Sequence, residues 1–317
     1  MKLSEIYRHC VERGMAEDAR GPEELRRTMD AAREEYEKLD AEEREFYDTE
    51  RFTNPYADTR VALGDPEMDV RGLITGVDMQ VGEVLLADRL REKGRRIELI
   101  LAHHPEGPGF ARLHEVMYMQ ADLWHEAGVR IGAADAMIGP RAEEVRRRFM
   151  PYNHYQPIDA ARLLDFAVMS CHTPADNGVN SYVRRYLGER EPRTLQDVVR
   201  ALRAIPEYAD AARKGYGPEI VLGEPSRRTG RFIVDMTGGT EGPAEALDAL
   251  SRAGVDTLVG MHYSEEHRKR AEELKLSLVI AGHISSDTLG MNLILDGIEA
   301  AGVDILCTSG MVRVSRV

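Results

Sequence analysis

Two adjacent histidines end an apolar run and are followed by proline, in the segment LILAHHP with His103, His104 and Pro105. Side chains on a β-strand alternate between its faces, so a pair that only packed would point one histidine away from the other. Proline keeps the preceding His104 in extended geometry, where the strand leaves the sheet. Strict alternation relaxes there, and each imidazole can reach one of two neighbouring metal ions. Two ions about 3.5–4 Å apart can hold the attacking and leaving oxygens of a hydrolysis.

Histidine also ends three further apolar runs, and each is followed by a carboxylate three or four residues later. These pairs are His172 and Asp176, His262 and Glu265, and His283 and Asp287. In open α/β sheets, ligands bind outside the carboxyl ends of the strands. A single histidine at a strand end more often has a structural role than a functional one. Histidines at the ends of four predicted strands are harder to explain by packing alone. The pattern favours a polar site at these strand ends.

The spacing of two of these pairs distinguishes them. His283 and Asp287 are four residues apart, and both can face one point if a helix begins one or two residues after His283. Imidazole and carboxylate together suit Zn, Mn, Fe or Ni, and no thiolate is needed. His172 and Asp176 have the same spacing, but Pro174 between them predicts a loop.

A glycine-rich segment, DMTGGTEGP at residues 235–243, lies between a predicted strand and a predicted helix. The backbone amides of Gly238 and Gly239 can form an anion cradle with the helix dipole. The segment lacks the GK[ST] end of a Walker A loop and is not a GxGxxG fingerprint. A phosphate site and a plain tight turn both fit it.

Short, continuously apolar strands alternate with amphipathic helices and must position these residues. The predicted strands are GLITGVDM, IELILAHH, DFAVMSCH, RFIVDM, DTLVGMH, LSLVIAGH and VDILCTS. Strands that are apolar at successive positions are buried on both faces, as in parallel sheets. The sequence predicts an α/β protein with a helical N-terminal extension at 1–57. A first α/β lobe with a helical middle follows at 58–214, and a second at 215–317.

The extension 1–57 predicts amphipathic surface helices that pack on the body or on a partner, and it carries no chemistry. The net charge of −13 over 317 residues argues against nucleic-acid and anionic-membrane partners. The three cysteines, Cys10, Cys171 and Cys307, have no metal or disulfide spacing, which suits a reduced compartment. The charged start is no signal peptide and no apolar run is long enough to span a membrane, so we expect a cytoplasmic protein.

Six segments occur in the order and spacing of a known family: DTRVALGDPEMDVRGLITGVDM, IELILAHHP, HTPADNGVN, RFIVDMTGGT, AGVDTLVGMHYSEEH and AGHISSD. From about residue 58 to 317 the chain resembles the NIF-three-like family of dinuclear-metal proteins. These are of the YbgI type and are also called GTP cyclohydrolase I type 2 homologues. The resemblance implies two α/β lobes facing a cleft that holds two divalent metal ions per chain, and a toroidal homohexamer.

The resemblance also implies the metal ligands. They are His103, His104, Asp176, His283 and Asp287. The family usually has glutamate at the last position, so the shorter Asp287 needs a small backbone shift to bridge two ions. Glu106 stands where an apolar residue often follows the HHP motif, so the pocket is expected to differ. Zn, Mn, Fe, Co and Ni all remain open.

The leading hypothesis is a metal-dependent hydrolase with a nucleotide-like or phosphorylated cyclic substrate and a metal-bound hydroxide as nucleophile. His262, Glu265 and His172 are the candidates for proton transfer, and Gly238 and Gly239 for holding a phosphate. The alternative is a non-catalytic metal-binding protein (a store, chaperone or adaptor) whose N-terminal helices dock a partner. A metal-free α/β protein with ordinary structural histidines is the third hypothesis.

Overall fold

The computed structural model describes residues 1–317, and its strands form two sheets. The strands are β1 (Val61–Leu63), β2 (Gly72–Gly76), β3 (Leu99–Ala102), β4 (Ala167–Ser170), β5 (Glu219–Leu222), β6 (Phe232–Asp235), β7 (Thr257–Gly260), β8 (Ser277–Ile280) and β9 (Asp304–Cys307). The first sheet has the order β1-β4-β3-β2-β9 and the second the order β5-β8-β7-β6. This architecture confirms the predicted fold class of two α/β lobes.

Helices connect the strands and cover the sheets. They are α1 (Leu3–Ala16), α2 (Gly21–Lys38), α3 (Ala41–Glu45), α4 (Val81–Glu92), α5 (Pro108–Ala111), α6 (Leu113–Val116), α7 (Met119–Glu126), α8 (Ile131–Phe149), α9 (Gln156–Leu163), α10 (Thr173–Arg190), α11 (Leu195–Leu202), α12 (Pro206–Arg213), α13 (Ala246–Arg252), α14 (Glu265–Glu273) and α15 (His283–Ala300), with a 3-10 turn at Thr49–Phe52. No helix has both the length and the apolar character needed to cross a membrane.

The predicted apolar runs form the parallel strands of both sheets. Strands β2, β3 and β4 pair in parallel and are buried along their whole length, and β6, β7 and β8 pair in the same way. The sequence reading missed β1 and β5, which pair antiparallel at one edge of each sheet. Both are only partly buried, and their apolar runs, VAL in β1 and IVL in β5, are three residues long.

The C-terminal strand β9 pairs in parallel with β2, so it belongs to the first sheet and not to the second lobe. The second half of α15 also packs in the first lobe, where Met291, Ile294 and Ile298 join the core under the first sheet. The predicted second lobe, 215–317, therefore includes two segments that pack in the first lobe, namely β9 and the second half of α15. An apolar strand pattern does not specify which sheet the strand joins.

Helix α1 is part of the first lobe and is not a surface extension. Leu3, Ile6 and Cys10 are fully buried in the same core as β2, β3 and β4. The expectation of surface helices holds better for α2, where only Leu25 and Ala32 are buried. Because α1 is rich in charges, its short buried stripe gives a weak signal in the sequence.

Helices α10 and α15 pack against each other between the lobes. Gly290 of α15 permits this close approach, since a Cβ there would lie 2.3 Å from the carbonyl oxygen of Ala175 in α10. Each helix begins directly after a strand, β4 or β8. Their N-termini therefore meet beside the carboxyl ends of the first sheet.

Candidate metal centre

The carboxyl end of β3 and the N-termini of α10 and α15 bring five predicted residues together. His103 and His104 directly follow β3, and Asp176 lies in the first turn of α10. His283 is the first residue of α15, and Asp287 lies one turn further on. Both helices thus present a carboxylate near their N-termini, and the sheet presents the two imidazoles.

The carboxylate of Asp287 lies between two groups of side chains. Its Oδ1 is 3.5 Å from Nε2 of His103, which is itself 3.5 Å from Oδ1 of Asp176. Its Oδ2 is 3.7 Å from Nε2 of His104 and 3.6 Å from Nε2 of His283. The ligand atoms within each group all lie within 4.8 Å of one another. Asp287 thus has one oxygen near each group.

The residues of this cluster fit a metal ion because their inward-facing polar atoms lack partners. Nε2 of His103, Oδ1 of Asp176 and both carboxylate oxygens of Asp287 are buried and make no hydrogen bond. Leaving buried polar groups unpaired costs free energy, and charged groups cost the most. Divalent cations held among these atoms would satisfy them. These buried histidines and aspartates can therefore hold metal.

Three histidines are held in place through their other ring nitrogen. These contacts join Nδ1 of His103 to the carbonyl oxygen of Cys171 at 3.1 Å, Nδ1 of His104 to Oδ1 of Asp78 at 2.7 Å, and Nδ1 of His172 to Oδ2 of Asp58 at 2.7 Å. A bond of this kind fixes the ring and leaves Nε2 for a metal. Sequence reasoning missed Asp58 and Asp78, since no motif joins them to the histidines they contact.

The pKa shifts follow from burial and from the mutual contacts. Burial raises the pKa of Asp176 well above its ordinary value. Burial also lowers the pKa of His283 to about 4, so its imidazole is neutral, the form that binds metal. Burial raises the pKa of Asp287 too, but the surrounding histidines, led by His103, lower it further, and its net pKa is below the ordinary value.

His172 lies in the cluster, and the turn that carries it differs from the prediction. Its Nε2 is 3.7 Å from Oδ2 of Asp176, and its ring centroid is 4.9 Å from that of His103. The loop expected from Pro174 is instead the first turn of α10. Proline is tolerated there because the first amides of a helix have no partner within it.

The other two candidates for proton transfer lie in different surroundings. His262 is exposed, lines a cavity beside the cluster, and has its ring centroid 4.9 Å from that of His283. Glu265 lies on the surface at the start of α14 and pairs with Arg268 at 2.9 Å. It does not line the cavity.

The cavity has a volume of about 390 Å³ and runs from the cluster along the second lobe. Gly239 lines it, while Gly238 directs its carbonyl oxygen to Nε2 of Gln120 at 2.6 Å. Both glycines have positive φ angles, 101° and 84°, which L side chains rarely adopt. Asp235 and Glu241 line the same cavity, and no lysine or arginine does. The surroundings of the glycine turn are therefore acidic.

Comparison with known proteins gives structural neighbours only, because no family model and no curated protein matches the chain. A NIF3 superfamily protein from Sphaerobacter thermophilus is 26% identical, with a TM-score of 0.70 over 80% of this chain and 92% of that one. A Bacillus cereus protein related to NIF3 is 12% identical, with a TM-score of 0.43 over 82% and 93%. The protein ybgI, of unknown function, is 15% identical, with a TM-score of 0.47 over 80% of this chain and 90% of that one.

The likeness to the Sphaerobacter protein extends over both lobes, and the motifs HHP, HTPAD and GHISSD fall at the carboxyl ends of the strands that they were expected to follow. This fold, this likeness and these motifs support a NIF3-like assignment of the chain.

Proposed function

We propose that the chain is a metal-dependent hydrolase that holds two divalent ions on either side of Asp287. The observation that carries this proposal is the division of the Asp287 carboxylate between two groups of ligands. His103 and Asp176 would complete one position, and His104 and His283 the other. His172 lies close enough to add to the first position. Zn, Mn, Fe, Co and Ni all suit such imidazole and carboxylate ligands.

When bound, a pair of divalent ions polarises a substrate oxygen and supplies a nucleophilic water near neutral pH. The chain itself contributes by fixing the orientation of the ligands and by providing a cavity for the substrate. Asp58 and Asp78 fix the rings of His172 and His104, so these ligands do not rotate during turnover. The cavity beside the cluster provides a place for a small organic substrate.

His262 is the residue that we propose moves a proton during turnover. It lines the cavity beside His283, and its ring makes no hydrogen bond to the chain, so both nitrogens are free to face a substrate. His172 is held between Asp58 and the cluster, which suits a ligand better than a proton carrier. Glu265 has no access to the cavity, so we assign it no role in the reaction.

The substrate that we propose is a small cyclic compound, and any phosphate on it would lie at the metal ions. Gly238 and Gly239 remain the expected alternative for a phosphate, but Asp235 and Glu241 would repel it there. A cytoplasmic location and a homohexamer stay predictions. The alternative of a partner-docking metal protein loses part of its support, since α1 is buried in the first lobe.

The test combines metal analysis with a substrate panel. Protein purified without chelator or added metal is analysed for metal per chain, and then loaded and assayed on nucleotides, phosphoesters and cyclic amides. The proposal expects about two ions per chain and hydrolysis in at least one class. Two ions without hydrolysis of any class would favour a non-catalytic metal protein. Trace metal only, with His103→Ala and His283→Ala unchanged in stability and fold, would favour the metal-free hypothesis.

A further inference from the structure

One wall of the cavity is rich in hydrogen-bond acceptors. We call it the acceptor wall and define it by Gln120, Asp235, Glu241 and Tyr263, which all line the cavity. Gln120 comes from α7, and the other three come from β6 and the loops of the second lobe. No lysine or arginine lines the cavity, so nothing cationic in it neutralises these carboxylates. A cation or a donor-rich group in the cavity would meet a complementary surface.

Gln120 is the buried member of this wall and its orientation is fixed. The side chain is 4% exposed, and its Nε2 donates to the carbonyl oxygens of Gly238 at 2.6 Å and Thr240 at 2.7 Å. Because both partners are carbonyls, the nitrogen must face them, and Oε1 is left to face elsewhere. That oxygen accepts no hydrogen bond from the chain. An acceptor without a protein partner at a cavity wall is open to a donor from a ligand or from water.

The acidic members of the wall also have free acceptor atoms. Oε1 of Glu241 accepts from the backbone N–H of Ser264 at 2.8 Å and lies 3.2 Å from Nδ1 of His267, but Oε2 has no partner. The carboxylate of Asp235 makes no hydrogen bond. The Tyr263 hydroxyl is buried and also lacks a partner. Three side chains of the wall thus have polar groups that only a ligand or water can satisfy.

These acceptors do not form a second metal site. The histidine and carboxylate atoms of the metal cluster converge within 4.8 Å, whereas those of Asp235, Glu241 and His267 do not. Burial lowers the pKa of His267, which disfavours its charged form. The acceptors without a partner are spread over the wall, so they suit an organic ligand with several hydrogen-bond donors better than a single metal ion.

Aromatic rings complete the cavity next to the acceptor wall. Trp124, Phe110 and Phe149 line it, and the last two are stacked with ring centroids 4.8 Å apart. Flat rings pack well against such side chains, and a positive charge on the ligand gains further from the ring faces. The cavity therefore offers both a surface for a ring and acceptors for its edge.

We propose that the acceptor wall binds the donor edge of a flat ring that carries amino or amidine groups. The substrate class of the hydrolase is then an amine-bearing or amidine-bearing cyclic compound whose reacting group faces the metal cluster. The statement that such a compound is the substrate rests on the proposed hydrolase function. The binding preference itself stands on the wall alone.

The test uses three probes of equal shape: benzamidine, a cation that donates; benzamide, a neutral amide; and benzoate, an anion that only accepts. Their affinities are measured by calorimetry at pH 8, with metal-free and with Zn²⁺-loaded protein. We expect benzamidine to bind at least about tenfold more tightly than benzamide, and benzoate to show no binding to metal-free protein. Benzoate binding to metal-free protein as tightly as benzamidine would overturn the proposal.

Variants of the acceptor wall test whether benzamidine binds there. Glu241→Gln and Asp235→Asn should each weaken benzamidine binding about tenfold or more, because each removes a charge-assisted acceptor. The matched control is Glu219→Gln, an exposed residue of β5 without a partner, which should leave the affinity unchanged. Thermal melting verifies that each variant is folded. Folded Glu241→Gln and Asp235→Asn proteins that both bind benzamidine as well as the wild type would overturn the proposal.

The two proposals fail separately in this design. Loss of the hydrolase proposal shows in the metal content and in the substrate panel, neither of which depends on benzamidine. Loss of the acceptor-wall proposal shows in probe affinities of metal-free protein, which do not depend on metal. A protein that holds two ions, hydrolyses at least one class of the substrate panel and prefers benzoate when metal-free would retain the first proposal and reject the second.

Discussion

The two lobes share a strand order, yet they contribute different residues to the candidate metal centre: His103, His104 and Asp176 follow strands of the first sheet, and His283 and Asp287 follow β8 of the second. Each sheet has an antiparallel edge strand followed by three parallel strands, β1-β4-β3-β2 and β5-β8-β7-β6. The first two residues after β3 are His103 and His104, and those after β7 are Met261 and His262. The lobes are thus alike in scaffold and different in chemistry.

The environment of the equivalent histidines differs as well. His104 contacts Asp78 at 2.7 Å, and Asp78 lies two residues beyond the end of β2. The residue two beyond the end of β6 is Thr237, whose hydroxyl donates to Asn177 instead. His262 therefore has no carboxylate to fix it. The comparison of His104 with His262 shows that the same strand-end position carries a ring fixed by a carboxylate in one lobe and an unfixed ring in the other, which suits a ligand in the first case and a mobile proton carrier in the second.

The largest expected effect is the loss of metal from Asp287→Asn. This change removes the charge that both ligand groups share, so we expect bound metal to fall from about two ions per chain to near zero. Asp235→Asn in the second lobe is the matched control and should keep the full metal content. Elemental analysis of both variants decides this. Full metal content in folded Asp287→Asn protein would rule out a shared carboxylate.

Alanine substitutions at His104 and His262 should affect different properties, metal content in the first lobe and turnover in the second. His104→Ala should lose about one ion per chain, because one ligand group loses its imidazole. His262→Ala should keep both ions and lose about 10²-fold or more in turnover, as expected for a proton-transfer group. Equal metal loss in the two variants would show that the lobes do not differ in this way.

The orienting carboxylates should have a smaller effect than the ligands. Asp58→Asn and Asp78→Asn leave the inward-facing nitrogens in place but weaken the contacts that fix the rings. We expect metal affinity to fall about 10–100-fold in each, measured by competition with a chelator. Thr237→Ala tests the equivalent position of the second lobe and should leave metal affinity unchanged. An unchanged affinity in both aspartate variants would remove their assigned role.

An effect of similar size, away from the metal centre, is expected on the pH dependence of stability at Asp235. Burial, with a contribution from Glu241, raises the pKa of Asp235 from its ordinary 3.8 to about 6. The folded state therefore holds this proton more tightly than the unfolded state, so this group's contribution to stability falls as pH rises from about 4 to 6. We expect Asp235→Asn to remove a fall of about 1–3 kcal/mol, measured by urea unfolding at pH 4.5 and 7.5. An identical pH dependence in the two proteins would contradict this.

The strand-end histidines could be predicted because each follows a short apolar run in the sequence. The residues that orient them could not. Asp78 is 26 positions from His104, and Asp58 is 114 positions from His172, and neither pair has a local pattern. Such contacts depend on how strands are ordered in a sheet, which periodicity does not specify.

Because sequence periodicity does not specify tertiary contacts, the lobe boundaries and the residues of the cavity were also predicted incompletely. The pattern of β9 predicts a strand but does not indicate the sheet, and α1 has a buried stripe within a charged sequence. Glu265 follows His262 closely in sequence, yet the start of α14 turns its side chain to the surface. The acceptor wall joins Gln120 of α7 to the second lobe, and this contact spans more than a hundred residues.

The central claim is that Asp287 divides its two oxygens between two metal ions. Anomalous diffraction from crystals of Zn²⁺-loaded protein, at energies on both sides of the zinc edge, tests it most directly. The account predicts two zinc peaks per chain, one beside His103 and Asp176 and one beside His104 and His283, with Asp287 contacting both. A single peak, or two peaks of which only one contacts Asp287, would contradict it.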